Sequence, residues 1–185
     1  MWKGISVSLT LAAVLAAGPA WGETDVRTMD IHGFRLGMTT EEATKAAGGE
    51  LKLTPVAVKG APMGYTARKN ELQLYFTCDE LGKRLFRVQL VRMYPTRQDP
   101  IPVFESYVAR YGTPDYSGRQ MMSVQACWGK CFGAHPKLEF RMKVMNVADR
   151  PYPLTLTLSD DEVEAANRRE FNRKKGASAS TGTAP

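Results

Sequence analysis

Apolar and polar residues repeat with two different periods along this chain, and the period distinguishes predicted strands from predicted helices. Apolar and polar positions alternate at Leu72–Phe76 and again at 85–93, after a turn that contains Gly82. Alternation with a period of two is typical of strands that bury one face. We therefore predict an antiparallel hairpin here. Further strands are predicted at 51–58, 64–68, 121–128, 138–146 and 154–158.

Two segments carry the signals of short helices that pack on a core. Thr39 stands three residues before Glu42, which is the spacing of a capping box, and two glycines follow a predicted helix at 40–47. Asp99-Pro100 provides a cap and a first helical residue for a second helix, whose apolar residues recur at helical spacing until Gly112.

A third predicted helix is defined by its charges. The run Ser159-Asp160-Asp161-Glu162 makes another capping box, with acidic residues in the first turn and basic residues at 173–175 in the last. Residues 176–185 are only glycine, alanine, serine, threonine and proline. This composition buries too little apolar surface to offset chain entropy, so we predict a disordered tail there.

The order of elements is helix, strands, helix, strands, helix, and it predicts an α+β fold with an antiparallel sheet. We expect the short helices to pack on one face of the sheet, with the charged helix at the C-terminal end. The length of 23–175 suits one domain. Two helix-plus-strands halves, 30–95 and 99–175, are the alternative organisation and would reflect an internal duplication.

Residues 1–22 have the pattern of a secretory signal peptide. They contain one lysine and a mostly apolar stretch at 5–17, and Ala20 and Gly22 are the small residues before a cut at Glu23. The stretch is too short and too rich in alanine and glycine for a membrane span. No cysteine follows the cut, so we predict a soluble periplasmic protein without a lipid anchor.

The charge of the chain suggests one further candidate partner. The sequence has 25 lysines and arginines against 19 acidic residues, a net charge of +6. Several of these cations cluster at 168–175, which suggests contact between the basic C-terminal helix and an anionic membrane surface. The alternative is an ordinary solvated basic surface. Nucleic acid is not expected as a partner in the predicted compartment.

The three cysteines are expected to form one disulfide, because export leads to an oxidising environment. Cys127 and Cys131 flank a turn that contains Gly129, and we favour this pair. The alternative joins Cys78 to either of them, and one thiol remains in both cases. A metal site of Cys127, Cys131 and His135 would need a helical segment, which the nearby glycines disfavour, so we predict no metal.

The motifs of common enzymes are missing from the sequence. It has two histidines, His32 and His135, and it lacks a G-x-S-x-G elbow, a phosphate loop, a dinucleotide fingerprint and calcium-loop spacing. A hydrolase whose carboxylates converge only in space is the least favoured function. We therefore predict a protein that is not an enzyme and needs no cofactor.

Two short stretches resemble small bacterial envelope proteins. Phe34-Arg35-Leu36-Gly37-Met38-Thr39-Thr40-Glu41-Glu42-Ala43 resembles the opening of SmpA/OmlA-type outer-membrane assembly lipoproteins and of tandem domains with a beta-lactamase-inhibitor-protein-like fold. The segment from Phe104 to Tyr111-Gly112-Thr113-Pro114 is similar to a helix end and turn of such periplasmic proteins. The resemblance implies a small binding scaffold that is usually not an enzyme.

Aromatic residues near loops and strand ends are candidate anchors for a partner, namely Trp128, Tyr94 and Tyr116. For Trp128 the alternative is packing in the core over the disulfide. We predict a protein–protein interaction module of the cell envelope whose curved sheet contacts an envelope protein. The alternative function is binding of a small ligand or lipid in an apolar pocket between helix and sheet.

Overall fold

Each of the first two helices is followed by four strands, and a third helix ends the described chain. The computed structural model describes residues 24–58, 61–96, 98–120, 123–143 and 152–180, so the predicted signal peptide lies outside it. The described helices are α1 (Thr40–Ala46), α2 (Pro100–Tyr111) and α3 (Asp161–Ser180). The described strands are β1 (Thr54–Val58), β2 (Ala61–Lys69), β3 (Leu72–Phe76), β4 (Leu85–Tyr94), β5 (Tyr116–Gln120), β6 (Ser123–Gly129), β7 (Pro136–Lys143) and β8 (Tyr152–Asp160).

The eight strands form one antiparallel sheet in the order β1-β2-β3-β4-β8-β7-β6-β5. This confirms the predicted α+β class with an antiparallel sheet. The sheet consists of two meanders: the first is β1–β4 and the second is β5–β8. They join where β4 pairs with β8 and Val88 lies opposite Leu158. Strands β1 and β5 are the two edges.

The inner face of the sheet carries the core. The registers place Leu74, Val88, Leu158, Leu138 and Trp128 next to one another across β3, β4, β8, β7 and β6. All five have a relative exposure of 0%. Burying one such side chain contributes about 1.5–3 kcal/mol, so this row ties the two meanders into one core.

Helices α1 and α2 cover the inner face. The Thr39 hydroxyl accepts from the Glu42 amide at 3.2 Å, and the Glu42 carboxylate accepts from the Thr39 amide at 2.8 Å, so the predicted capping box is confirmed. In α2, the rings of Phe104 and Tyr107 lie 5.7 and 5.2 Å from the ring of Phe140. These ring contacts pack α2 on the strands, and the fully buried Ala43 places the apolar side of α1 in the same core.

Helix α3 lies on the outer face, which corrects the prediction that the helices share one face. Arg87 in β4 alternates with the core residues of that strand and forms an ion pair with Glu164 of α3. Lys137 in β7 pairs with Asp161 at 2.9 Å. These contacts are polar, so the apolar residues of α3 could not indicate which face of the sheet the helix would cover.

A buried asparagine fastens α3 to the first meander. Asn167 is 4% exposed. Its Oδ1 accepts from the Cys78 amide at 2.8 Å, and its Nδ2 donates to the Met63 carbonyl at 2.7 Å. The side chain thus satisfies one backbone group in β2 and one just after β3 that would otherwise be buried without a partner.

The ends of α3 differ from the prediction. Asp160, not Ser159, caps the helix, because its Oδ1 accepts from the Val163 amide at 3.1 Å. The helix continues to Ser180, so 176–180 are helical where a disordered tail was expected; 181–185 lie outside the described residues. Over the described ranges, no helix combines the length and the apolar character that crossing a membrane requires.

Candidate functional site

The second meander leaves much of its outer face open to solvent. The registers align Gln89, Thr157 and Glu139 across β4, β8 and β7, and they align Thr155, Arg141 and Gln125 one row further from α3. These six side chains contribute to the lining of a groove of about 520 Å³. We call this surface, together with the rings of Tyr116 and Phe132, the open face.

Strand alternation explains why the open face is polar. Thr155 and Thr157 alternate with three fully or almost fully buried leucines of β8. Glu139 and Arg141 alternate with Leu138, Phe140 and Met142 in the same way and are exposed. One strand thereby builds the core with one set of residues and this surface with the other.

A disulfide shapes one side of the open face. Cys127 and Cys131 are bonded, with their Cα atoms 5.8 Å apart, which confirms the favoured pairing. Cys78 is a buried free thiol, so the alternative pairings are contradicted. Oxidised cysteines offer no thiolate ligands to a metal, and the His135 ring instead lies 3.0 Å from a Glu162 carboxylate oxygen.

Immediately after the disulfide, Phe132 is held against Tyr116. Their ring centroids are 5.9 Å apart in an edge-to-face arrangement, which is a favoured geometry for aromatic pairs. Phe132 is 80% exposed and Tyr116 is 45% exposed. Sequence reasoning selected Tyr116 and missed Phe132. Its position directly after a turn-closing cysteine was the available signal.

The structure separates the three predicted anchors. Trp128 is fully buried on the inner face. Its Nε1 donates to the Gly112 carbonyl at 2.8 Å, and its ring contacts Tyr111. It therefore has no exposed surface to offer a partner, and its alternative placement in the core is confirmed. The disulfide borders the opposite, outer face, so the expected packing of Trp128 over it is wrong. Tyr94 is partly buried against the core at the end of β4, so only Tyr116 of the three belongs to the open face.

Two adjoining cavities form a cleft on the helix side, where the alternative function placed a pocket. Cavities of about 310 and 250 Å³ share His32, Leu90 and Arg92 in their linings. The rim is ionic: Arg92 pairs with Glu71 at 2.9 Å. A nearby ion pair joins Arg110 to Asp30 at 2.9 Å. Burial raises the pKa of Tyr111, which also lines the cleft, to about 12, so its hydroxyl stays neutral.

Comparisons with models of protein families, with curated proteins and with solved structures found no match to this chain. The similarity to SmpA/OmlA-type and beta-lactamase-inhibitor-protein-like domains stays a prediction. The function is therefore argued from the geometry of the open face.

Proposed function

We propose that this is an exported, periplasmic, non-enzymatic protein that binds another protein of the cell envelope through the open face. The observation that carries the proposal is the exposed Phe132–Tyr116 pair beside a groove of amide, hydroxyl and charged side chains. Aromatic residues and arginine are enriched at protein interfaces, where a few of them supply most of the binding energy.

The open face is also stiff, which favours binding. Five of its eight side chains stand on the central strands β4, β7 and β8, and the disulfide fixes the start of the loop that carries Phe132. Tyrosine and phenylalanine have few rotatable bonds, so their contact surface is ordered at a low entropy cost. A preformed surface loses less free energy on association than a flexible one.

The proposed compartment rests on two features of the chain. Residues 1–22 have the charge, apolar stretch and small terminal residues of an exported leader. The Cys127–Cys131 disulfide is of the kind that persists in oxidising compartments. Both features fit a protein that works outside the cytoplasm.

Site-specific photo-crosslinking in cells tests the proposed interface. A photoreactive residue at position 132 should yield one dominant adduct with an envelope protein. The same residue at position 101 is the control, because Ile101 is 39% exposed and lies on α2, on the other side of the sheet. Equal adducts from both positions, or none from position 132, would contradict the proposal.

Affinity for the crosslinked partner provides the quantitative test. The double substitution Tyr116→Ala with Phe132→Ala should weaken binding at least about tenfold, because it removes both aromatic anchors, and Ile101→Ala should leave affinity unchanged. The alternative function, a small ligand or lipid in the helix-side cleft, predicts a bound apolar molecule in the native mass spectrum.

A further inference from the structure

We infer that the open face binds an acidic polypeptide segment, attracted by Arg141 and the neighbouring Lys143. This inference rests on the proposed function and adds the chemistry of the partner. The inference depends on the charges on the outer face of the sheet. The cations beneath α3 form ion pairs with that helix, whereas the described cations beyond α3 do not.

The cations beneath α3 are already paired. Arg87 forms an ion pair with Glu164, and the side chains of Lys137 and Asp161, which form another, are 14% and 24% exposed. Carboxylates of α3 therefore neutralise this part of the sheet. These pairs show that α3 itself presents acidic side chains to the outer face.

Beyond α3, strand β7 continues with Glu139, Arg141 and Lys143, which are all exposed. Arg68 of β2 lies opposite Gln73, in the same row as Gln89. Among the described residues, no carboxylate forms an ion pair with these three cations. The open face and the adjoining end of β7 thus carry two cations, Arg141 and Lys143, against the single carboxylate of Glu139.

This excess of positive charge favours an acidic partner. Arginine can hold a carboxylate through two parallel hydrogen bonds, which gives orientation as well as attraction. Complementary charge at an interface mainly raises the association rate and the specificity. The attraction is screened over about 8 Å at physiological salt, so it depends on cations close to the bound segment.

The remaining side chains favour a polypeptide over a lipid headgroup. Gln89, Gln125, Thr155 and Thr157 present amides and hydroxyls that both donate and accept hydrogen bonds, as the groups of a peptide backbone do. The Phe132–Tyr116 pair offers an apolar contact for a side chain of the same segment. The phosphate of an anionic headgroup can accept hydrogen bonds from these side chains but donates none, so it would leave their acceptor oxygens without a counterpart.

Fluorescence anisotropy with three labelled peptides tests the inference on the full protein. The peptides share one sequence of glycine, serine and leucine with several variable positions, which are all Glu, all Gln or all Lys. We expect the Glu peptide to bind about tenfold or more tightly than the Gln peptide, with weakening as salt rises. We expect Arg141→Gln to lower its affinity about two- to fivefold and Glu139→Gln to raise it by a similar factor.

Arg35→Gln is the matched control, because Arg35 is exposed, does not line the groove of the open face, and the substitution removes the same charge. Equal losses from Arg35→Gln and Arg141→Gln would show that net charge alone is sensed and would overturn the inference. Equal binding of the Glu and Gln peptides, or binding only to phosphatidylglycerol vesicles, would also overturn it. In those cases a protein crosslinked through position 132 would still support the proposed function.

Discussion

The two meanders share a topology and a core, yet their outer faces are used differently. The first meander is partly covered by α3, which contacts β2 and β4. The second meander is bordered on its outer face by the short loop between β6 and β7, which carries Phe132. The comparison shows that one sheet can bury part of a polar face by ionic docking and leave the rest available for a partner.

Helix α3 contacts the outer face of the first meander through polar groups. Asn167 satisfies two backbone groups, Glu164 pairs with Arg87, and Lys174 near the end of α3 pairs with Glu80. The only apolar residue of α3 that is buried is Phe171, considering the described side chains. Polar contacts thus join α3 to the sheet at several points along the helix.

The largest expected effect is a loss of stability, and it distinguishes the inner face of the second meander from its outer face. Trp128→Ala should lower the free energy of unfolding by about 3–5 kcal/mol, because it opens a cavity in the shared core. Tyr116→Ala, on the outer face of the same meander, should cost less than about 1 kcal/mol. Urea unfolding of both variants measures the difference. A small loss for Trp128→Ala would contradict the core assignment.

An intermediate effect is expected on the docking of α3 to the outer face of the first meander. Asn167→Ala should weaken α3 docking by about 1–3 kcal/mol, because it leaves two backbone groups without partners. Labelling of the buried Cys78 thiol should then accelerate about 5- to 150-fold if detachment of α3 exposes it.

Asn172→Ala is the matched control for this experiment, because Asn172 lies on the same helix and is exposed. Its labelling rate should equal that of the unchanged protein. Equal rates in all three proteins would show that Asn167 does not hold α3 on the sheet.

The smallest effect is a pH dependence of the same docking. The hydrogen bond with Lys174 lowers the pKa of Glu80 below its usual value of 4.5. The pair therefore stabilises docking above about pH 4.5, and its contribution is lost as the pH falls through the lowered pKa of Glu80. Glu80→Gln should make Cys78 labelling, with a thiol reagent active in acid, depend less on pH in this window.

Glu170→Gln is the control for the pH experiment. The neighbouring Arg173 lowers the pKa of Glu170, but both residues lie on α3, so their ion pair does not join the helix to the sheet. This variant should keep the pH dependence of the unchanged protein. A loss as large as that of Glu80→Gln would indicate that acid unfolds α3 itself.

Local patterns predicted the elements whose signals lie within a few residues of one another. The capping box at Thr39 and the cap at Asp99 were correct, and the structure contains the hairpin of Leu72–Phe76 with β4. The Cys127–Cys131 pair was likewise local. Strand β5 was missed, because Tyr116–Gln120 has no apolar alternation, as expected for an edge strand with an exposed outer side.

The candidate site was predicted only in part. Tyr116 was identified from its residue type and its position near a loop, and Trp128 was identified for the same reasons although it belongs to the core. Residue type cannot distinguish a buried ring from an exposed one, since that depends on which face of the strand packs against α2. Phe132 carries no periodic pattern and is exposed because the disulfide turns the chain outward.

The sequence by itself predicted the α+β class and the caps of the first two helices, and it favoured Cys127–Cys131 over the pairings with Cys78, because each of these signals lies among near neighbours in the chain. Only the tertiary structure decided that β4 pairs with β8, that α3 covers the outer face of the first meander, and that the second meander stays open. Those outcomes join residues far apart in the chain. They depend on the summed packing of whole surfaces, which no local pattern encodes.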